Sequence, residues 1–377
     1  MKRMWLWGSA HAVDDLYQGL VPAVLPYFVL DHGYSYVAIS GLTLAAALGS
    51  SLPQPVIGVL VDRYRLDWLA PAGVALAGLG FGLSGLIPVY PVVWSLILLS
   101  GLGVAMFHPA AGRSARAAAG DSTAAMSVFA AGGSIGFFLA PVLATPVLLA
   151  LGLRGTAVFI PLALVTTLVL LSSRGTVASH AAARDGASRW RPFLALIGIE
   201  VVRSAAFFAV NTFIGIYWIT SLGAGKTLAG VALAVFLVGG VLGTLLGGRL
   251  ADRIGAIRTI QLGAALALPA LLGMLLTPGA WAPLVFAAMT GIAWNLPFAV
   301  LVKLGQDYLP SKPGTAAGVT LGLGVSIGGL FAPFFGLTAQ HHGPQGVFWL
   351  LCLAPLPALL LGLLLTAPAP SKSGVMA

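Results

Sequence analysis

The chain is 377 residues long, 59% hydrophobic and only 8% charged, with a formal net charge of +9. So little charge cannot cover a water-soluble surface, which excludes a soluble globular protein and leaves an integral membrane protein. The single cysteine, Cys352, excludes a disulfide framework and implies no redox chemistry.

Apolar runs are broken at roughly 25 to 35 residue intervals by Gly, Pro or charge, and a bilayer-crossing helix needs about 20 residues. The runs Leu96 to Gly103 and Leu359 to Leu365 do not alternate, so they are not barrel strands. In chain order the spacing predicts twelve helices: 8–30, 36–60, 68–88, 91–115, 123–150, 154–172, 193–219, 227–250, 256–277, 281–305, 314–338 and 346–366. Met1-Lys2-Arg3 looks like the start of a signal peptide, but His11, Asp14 and Asp15 follow with no clean cleavage site, so this segment reads as a retained first span. A polar passage at 173–190 links an N-terminal six-helix bundle, 1–172, to a C-terminal one, 191–377.

With twelve spans, Lys2, Arg3, Arg63, Arg65, Arg174, Arg184, Arg189, Arg191, Arg249, Arg253, Arg258, Lys312 and Lys372 fall on one side, and Arg154 and Lys226 on the other. Cytoplasmic loops carry the excess of Lys and Arg, so both termini are expected in the cytoplasm. The basicity is then a topology signal and needs no nucleic-acid partner.

The chain also repeats itself about 190 residues apart, as a transporter built of two related halves does. Gly58-Val-Leu-Val-Asp62-Arg63-Tyr64 returns as Gly248-Arg-Leu-Ala-Asp252-Arg253-Ile254, and Ser134-Ile-Gly136 with Ala140-Pro141 returns as Ser326-Ile-Gly328 with Ala332-Pro333. The first motif, after spans two and eight, resembles the cytoplasmic loop signature of the major facilitator superfamily. Copy one departs from the family pattern with Tyr64-Arg65-Leu66, where a Gly and further basic residues are common. Copy two, through Gly255-Ala256-Ile257-Arg258, is closer.

Within that superfamily, Ala10-His11-x-x-Asp14-Asp15, Pro22-Ala-x-x-Pro26, Gln54-Pro55-x-x-Gly58 and Phe107-His108-Pro109-x-x-x-Arg113-x-x-Arg116 are similar to the fosmidomycin-resistance branch of drug exporters. The resemblance implies an all-α integral membrane fold of twelve transmembrane helices in two pseudo-symmetric six-helix bundles. It further implies a monomer in the bacterial inner membrane that uses the proton gradient, with no cofactor, to export a small anionic compound by alternating access.

An ionisable side chain at the bilayer centre costs about 2.5–3.5 kcal/mol on insertion scales, so each one needs a partner or a task. His11, Asp14, Asp15 and Gln18 cluster on the first span at helical spacing, and Glu200, Arg203, Ser204, Phe207 and Asn211 do so on the seventh. In the superfamily these two spans line the cavity. Asp14 or Asp15 is therefore expected to load and release the proton, with Glu200 next and His11 as relay. Two other readings stay open: Asp14 and Asp15 as solvated gate residues near the cytoplasmic end, and Glu200 as a local i, i+3 partner of Arg203.

Arg203, His108, Arg113 and Lys303 form the basic side expected to hold an anionic head, with a topology or gating role equally open for Arg113 and Lys303 near the cytoplasmic helix ends and a packing role open for His108. Gln18, Tyr17, Asn211, Trp294 and Asn295 are expected to complete the substrate site. Gly58, Asp62, Arg63, Gly248, Asp252 and Arg253 are expected to form a gating latch between the halves, each Asp clasping the opposite bundle. Small residues around Gly132 to Gly136 and Gly324 to Gly328 would let helices approach closely and slide.

The alternatives are a symporter importing an organic anion and a divalent metal-ion carrier. His11, Asp14 and Asp15 offer metal ligands on one turn, but the second half supplies only Glu200 beside Arg203, where a cation is disfavoured. An enzyme is not expected, because no second Asp-rich motif, Gly-rich phosphate loop, Cys ligand set or Ser/His/Asp grouping occurs.

Overall fold

The computed structural model describes residues 2–64, 66, 68–119, 123–173, 187–310, 316, 319–320 and 324–367. Every regular element among them is helical: α1 (Lys2–His32), α2 (Tyr36–Ser51), α3 (Gln54–Tyr64), α4 (Leu69–Ser84), α5 (Tyr90–Ala119), α6 (Thr123–Leu151), a 3-10 turn (Gly152–Phe159), α7 (Ile160–Ser172), α8 (Trp190–Thr220), α9 (Lys226–Ile254), α10 (Ala256–Leu276), α11 (Pro283–Asn295), α12 (Phe298–Tyr308), α13 (Gly324–Leu330), α14 (Ala332–Leu351) and α15 (Pro355–Gly362). Most of the expected linker, and with it Arg174 and Arg184, lies outside the described residues, as do Arg65, Lys312, Lys372 and part of the expected eleventh span.

Eight helical stretches among the described residues are long and apolar enough to cross a membrane. Two of them, Ala131–Ser172 and Ile327–Gly362, run for 42 and 36 residues, well beyond the length of one crossing. Each is interrupted by a glycine in the left-handed region, Gly152 at φ 59 and Gly343 at φ 71, where a residue without Cβ turns the chain at no steric cost. Pro344 follows Gly343 and helps end the first part of α14. α4, at 16 residues, is apolar but shorter, and α1, which carries Asp14 and Asp15, is not among the eight.

The helices pack through small residues. α1 lies along α6 because a Cβ on Gly132 would strike the carbonyl of Gly8, and one on Gly136 would strike that of Ala12. Bare backbones at both points let the helices touch without intervening side chains. In the second copy of the motif Gly328 lies close to α8, against the Ser204 side chain and the Ala205 backbone nitrogen.

Residues from the two sequence halves meet at the end where α1 finishes and α9 begins. Lys226 Nζ donates to Asp31 Oδ1 at 2.9 Å and sits 4.6 Å from the Tyr27 ring centroid. Nearby, the hydroxyls of Thr43 and Thr212 are 2.9 Å apart, Gly336 abuts Ser40 and Gly230 abuts Thr145. At the opposite end α3 packs on α5, and α12 packs on α8, α9 and α10. The loop-motif residues Arg63, Asp252 and Arg253 are exposed there, and a Cβ on Gly248 would meet nothing within 4 Å. Gly58 has only Pro109, at 4.0 Å, and the side chain of Asp62 lies outside the described residues. For Asp252, then, this structure shows no clasp on the other half.

The α1–α6 contact gives a direct test. Gly136→Val should destabilise the detergent-purified protein by about 1–3 kcal/mol through overpacking. Gly112→Ala, where a Cβ meets nothing within 4 Å, should be neutral or slightly stabilising. Thermal unfolding of the two variants side by side checks both.

Candidate functional site

The close approach of α1 to α6 presses the polar face of α1 against α6 and α5. His11 Nδ1 donates to the Phe129 carbonyl at 2.8 Å, and its ring stacks on Phe129 with centroids 4.2 Å apart. From α5, His108 Nδ1 donates to its own i−4 carbonyl, Val104, at 2.9 Å. The two Nε2 atoms then face each other at 3.2 Å. Asp15 closes the triangle, with Oδ1 at 3.2 Å from His108 Nε2 and Oδ2 at 3.4 Å from His11 Nε2. Asp14, fully buried, brings Oδ2 to 3.5 Å from His108 Nδ1, and neither of its oxygens makes a hydrogen bond.

This geometry constrains the protons. A carbonyl only accepts, so both Nδ1 atoms carry hydrogen, and in neutral rings both Nε2 atoms would be bare lone pairs. Two lone pairs at 3.2 Å beside a carboxylate repel. A cation between them, whether a proton on one Nε2 or a metal ion, converts that repulsion into attraction.

Next to this cluster lies a cavity of about 380 Å³ between the two sequence halves. Asp15, Gln18, Thr43, Ser134, Phe137 and Phe138 contribute from one half, and Arg203, Phe207, Phe208, Asn211, Thr212, Thr244, Asn295 and Phe298 from the other. Its wall is mostly aromatic and aliphatic, with amides and hydroxyls set into it, the usual make-up of a small-molecule site.

The one cation on the described wall is Arg203, and it is already engaged. Its Nε donates to Glu200 Oε2 at 2.8 Å and its Nη2 to Oε1 at 2.7 Å, a bidentate pair. Nη1 keeps one long contact, 3.4 Å to Asn295 Oδ1, and the guanidinium carbon lies 4.6 Å from the Phe298 ring centroid. Asn211 donates to the Phe207 carbonyl at 2.8 Å and leaves its own Oδ1 buried without a partner.

Of the expected substrate residues, Arg203, Gln18, Asn211 and Asn295 line the cavity and the others do not. His108 turns toward Asp14 and Asp15 instead. Tyr17 is sealed between helices, its hydroxyl donating to the Phe159 carbonyl at 2.6 Å. Trp294 is buried in packing, Arg113 donates to the Val61 carbonyl and ties α5 to α3, and Lys303 is exposed. Among the proton candidates, Asp15 borders the cavity, Asp14 and His11 lie just behind it, and Glu200 is committed to Arg203.

Gly133 was not an expected site residue, yet a Cβ there would stand 2.6 Å from His11 Nε2 and also strike Asp15 Oδ2. The cluster exists because this position is bare. The doublet Gly132-Gly133 is its signature in the chain: one glycine for the helix contact and one for the site.

A family model described as the Major Facilitator Superfamily matches residues 8–333 and, again, 196–375. The chain belongs to the Major Facilitator Superfamily. Membership makes it a multi-pass membrane transporter and not an enzyme. Among curated superfamily relatives, the fosmidomycin resistance protein of Escherichia coli (strain K12) is 28% identical over 367 residues, covering 93% of this chain and 89% of the relative. An uncharacterized MFS-type transporter, YfnC, of Bacillus subtilis (strain 168) is 27% identical over 352 residues, covering 89% and 86%. The superfamily fold is matched by a mutant of the nucleoside transporter NupG, at TM-score 0.81, 12% identity and coverage of 96% and 99%. It is matched too by a bacterial homologue of the human lysosomal transporter Spinster in an inward-facing, occupied conformation, at TM-score 0.77, 15% identity and coverage of 97% and 94%.

The Glu200–Arg203 pair makes a sharp prediction. Glu200→Ala leaves a buried guanidinium without its carboxylate and should cost about 3–5 kcal/mol of stability. Replacing both residues by Gln should recover most of that loss. Unfolding in detergent measures each, and an undiminished Glu200→Ala protein would mean that Arg203 is solvated.

Proposed function

We propose that this transporter is a proton-coupled antiporter that exports a small organic compound by rocking one six-helix half against the other. The observation that carries this reading is the position of Asp15, which belongs at once to the histidine cluster and to the cavity wall. A group that serves both proton and substrate space links the two occupancies. A substrate that donates a hydrogen bond to the ionised Asp15 carboxylate competes with the proton for that group, which is the linkage an antiporter needs.

In this reading the chain crosses the bilayer twelve times. The turns at Gly152 and Gly343 divide the two longest apolar stretches, and α1 and α4 supply two further crossings. The halves are 1–172 and 191–377, joined by 173–190. The loop charges put both termini in the cytoplasm of a bacterium, with the protein a monomer in its inner membrane. The end where Lys226 meets Asp31 then faces outward, and the end where α3 packs on α5 faces inward. Gly58, Asp62, Arg63, Gly248, Asp252 and Arg253 would close against the opposite half only in the alternate, outward-open state.

The cavity favours a compound with a flat or apolar body and one polar head. An anionic head would be met by Arg203 Nη1, the donor that Glu200 leaves free, with Gln18, Asn211 and Asn295 around it. The relative's resistance to fosmidomycin makes that compound a reasonable first probe.

The test is transport in proteoliposomes with an imposed pH gradient and fosmidomycin as probe. Wild type should accumulate the probe against its gradient. Asp15→Asn should abolish that accumulation while leaving probe-for-probe exchange. Wild-type accumulation in both Asp14→Asn and Asp15→Asn would overturn the proton assignment.

A further inference from the structure

We propose that His11, His108 and Asp15 also form a binding site for one divalent transition-metal ion of the zinc type. Three donor atoms converge from two helices, all within 4.8 Å of one another. Their spacings are 3.2 Å between the imidazole nitrogens and 3.2 and 3.4 Å from these to the carboxylate oxygens. A tetrahedral ion with metal–ligand bonds near 2.0–2.1 Å has edges of about 3.3 Å between its ligands. Each imidazole nitrogen stands at that edge distance from the other and from one oxygen of the Asp15 carboxylate, Oδ1 for His108 and Oδ2 for His11, so the three groups frame one face of such a site.

The surroundings fit as well. Both Nδ1–H groups donate to backbone carbonyls, which turns each Nε2 lone pair inward and holds the ring, as around protein-bound zinc. Asp14, with no exposure and no hydrogen bond, stands behind His108. With Asp15 it matches the charge of a divalent ion, which neither histidine can do. Gly133 leaves the space that a Cβ would fill, and Asp15 opens on the central cavity, so an ion has a way in and a fourth position for water. Two imidazoles and one carboxylate suit zinc, cobalt or nickel rather than magnesium or calcium.

An ion there takes the lone pairs that the proposed function assigns to the proton, so it acts as an inhibitor of coupling. That consequence rests on the proposed function, whereas the binding does not. The experiment uses the full-length protein, purified in detergent without a polyhistidine tag and titrated with Co²⁺ alone. One ion per chain should bind with the intense visible absorption of a tetrahedral site. His11→Gln, His108→Gln and Gly133→Ala should each lose that absorption and weaken binding at least about tenfold. A His341→Gln/His342→Gln double variant, at an exposed histidine pair remote in sequence from the cluster, should bind as wild type does.

Should the histidine variants fail to fold, X-ray absorption on the wild-type protein decides: two imidazole nitrogens in a four-coordinate shell support the site, and an oxygen-rich six-coordinate shell overturns it. Binding unchanged by His108→Gln, or lost only in the His341/His342 variant, also overturns it. In proteoliposomes Zn²⁺ should arrest gradient-driven transport. Co²⁺ binding without any transport would sink the proposed function and leave this site standing, and transport without Co²⁺ binding would do the reverse.

Discussion

Two imidazole nitrogens held 3.2 Å apart beside a carboxylate are the constraint around which the first half is built. That arrangement repels itself unless a cation is shared, and under the proposed function that cation is the proton of the transport cycle. Much of the local architecture serves to hold it. Gly132 and Gly136 bring α6 onto α1, Gly133 leaves the room, and the Phe129 and Val104 carbonyls fix the rings. Burying carboxylates at membrane depth is expensive, and here two lie beside two histidines.

The second half uses the same scaffold differently. The repeated motif brings a glycine close to a neighbouring helix in both halves, Gly136 against the Ala12 backbone of α1 and Gly328 against Ser204 and Ala205 of α8. What lies on those contacts differs. α1 presents an unsaturated cluster that needs a cation, while α8 presents Glu200 and Arg203, a pair that satisfies itself. One half offers charge that can change, and the other offers charge that is fixed. A cavity between them, lined largely by aromatic and amide side chains, can respond to the first while being shaped by the second.

Local spacing made several of these features legible in the sequence. The grouping of His11, Asp14 and Asp15 on one turn and the i, i+3 pairing of Glu200 with Arg203 follow from 3.6 residues per turn. Contacts between helices were harder to read. His108 looked like a substrate contact, but the register of α5 against α1 turns it to the carboxylates. Tyr17 sits two residues from Asp15, about 200° around the helix, and so faces packing while Asp15 and Gln18 face the cavity. Gly133 gave only a doublet of glycines, because its role is the absence of a side chain.

A cation shared between His11 and His108 is what holds this cluster together. Histidine-selective ¹⁵N NMR of the full chain in detergent, stripped of metal ions by a chelator at neutral pH, addresses it most directly. The expected spectrum shows hydrogen on both Nδ1 atoms and one proton held between the two Nε2 atoms, with that signature lost in His108→Gln. Two neutral rings with no proton between their Nε2 atoms would contradict it.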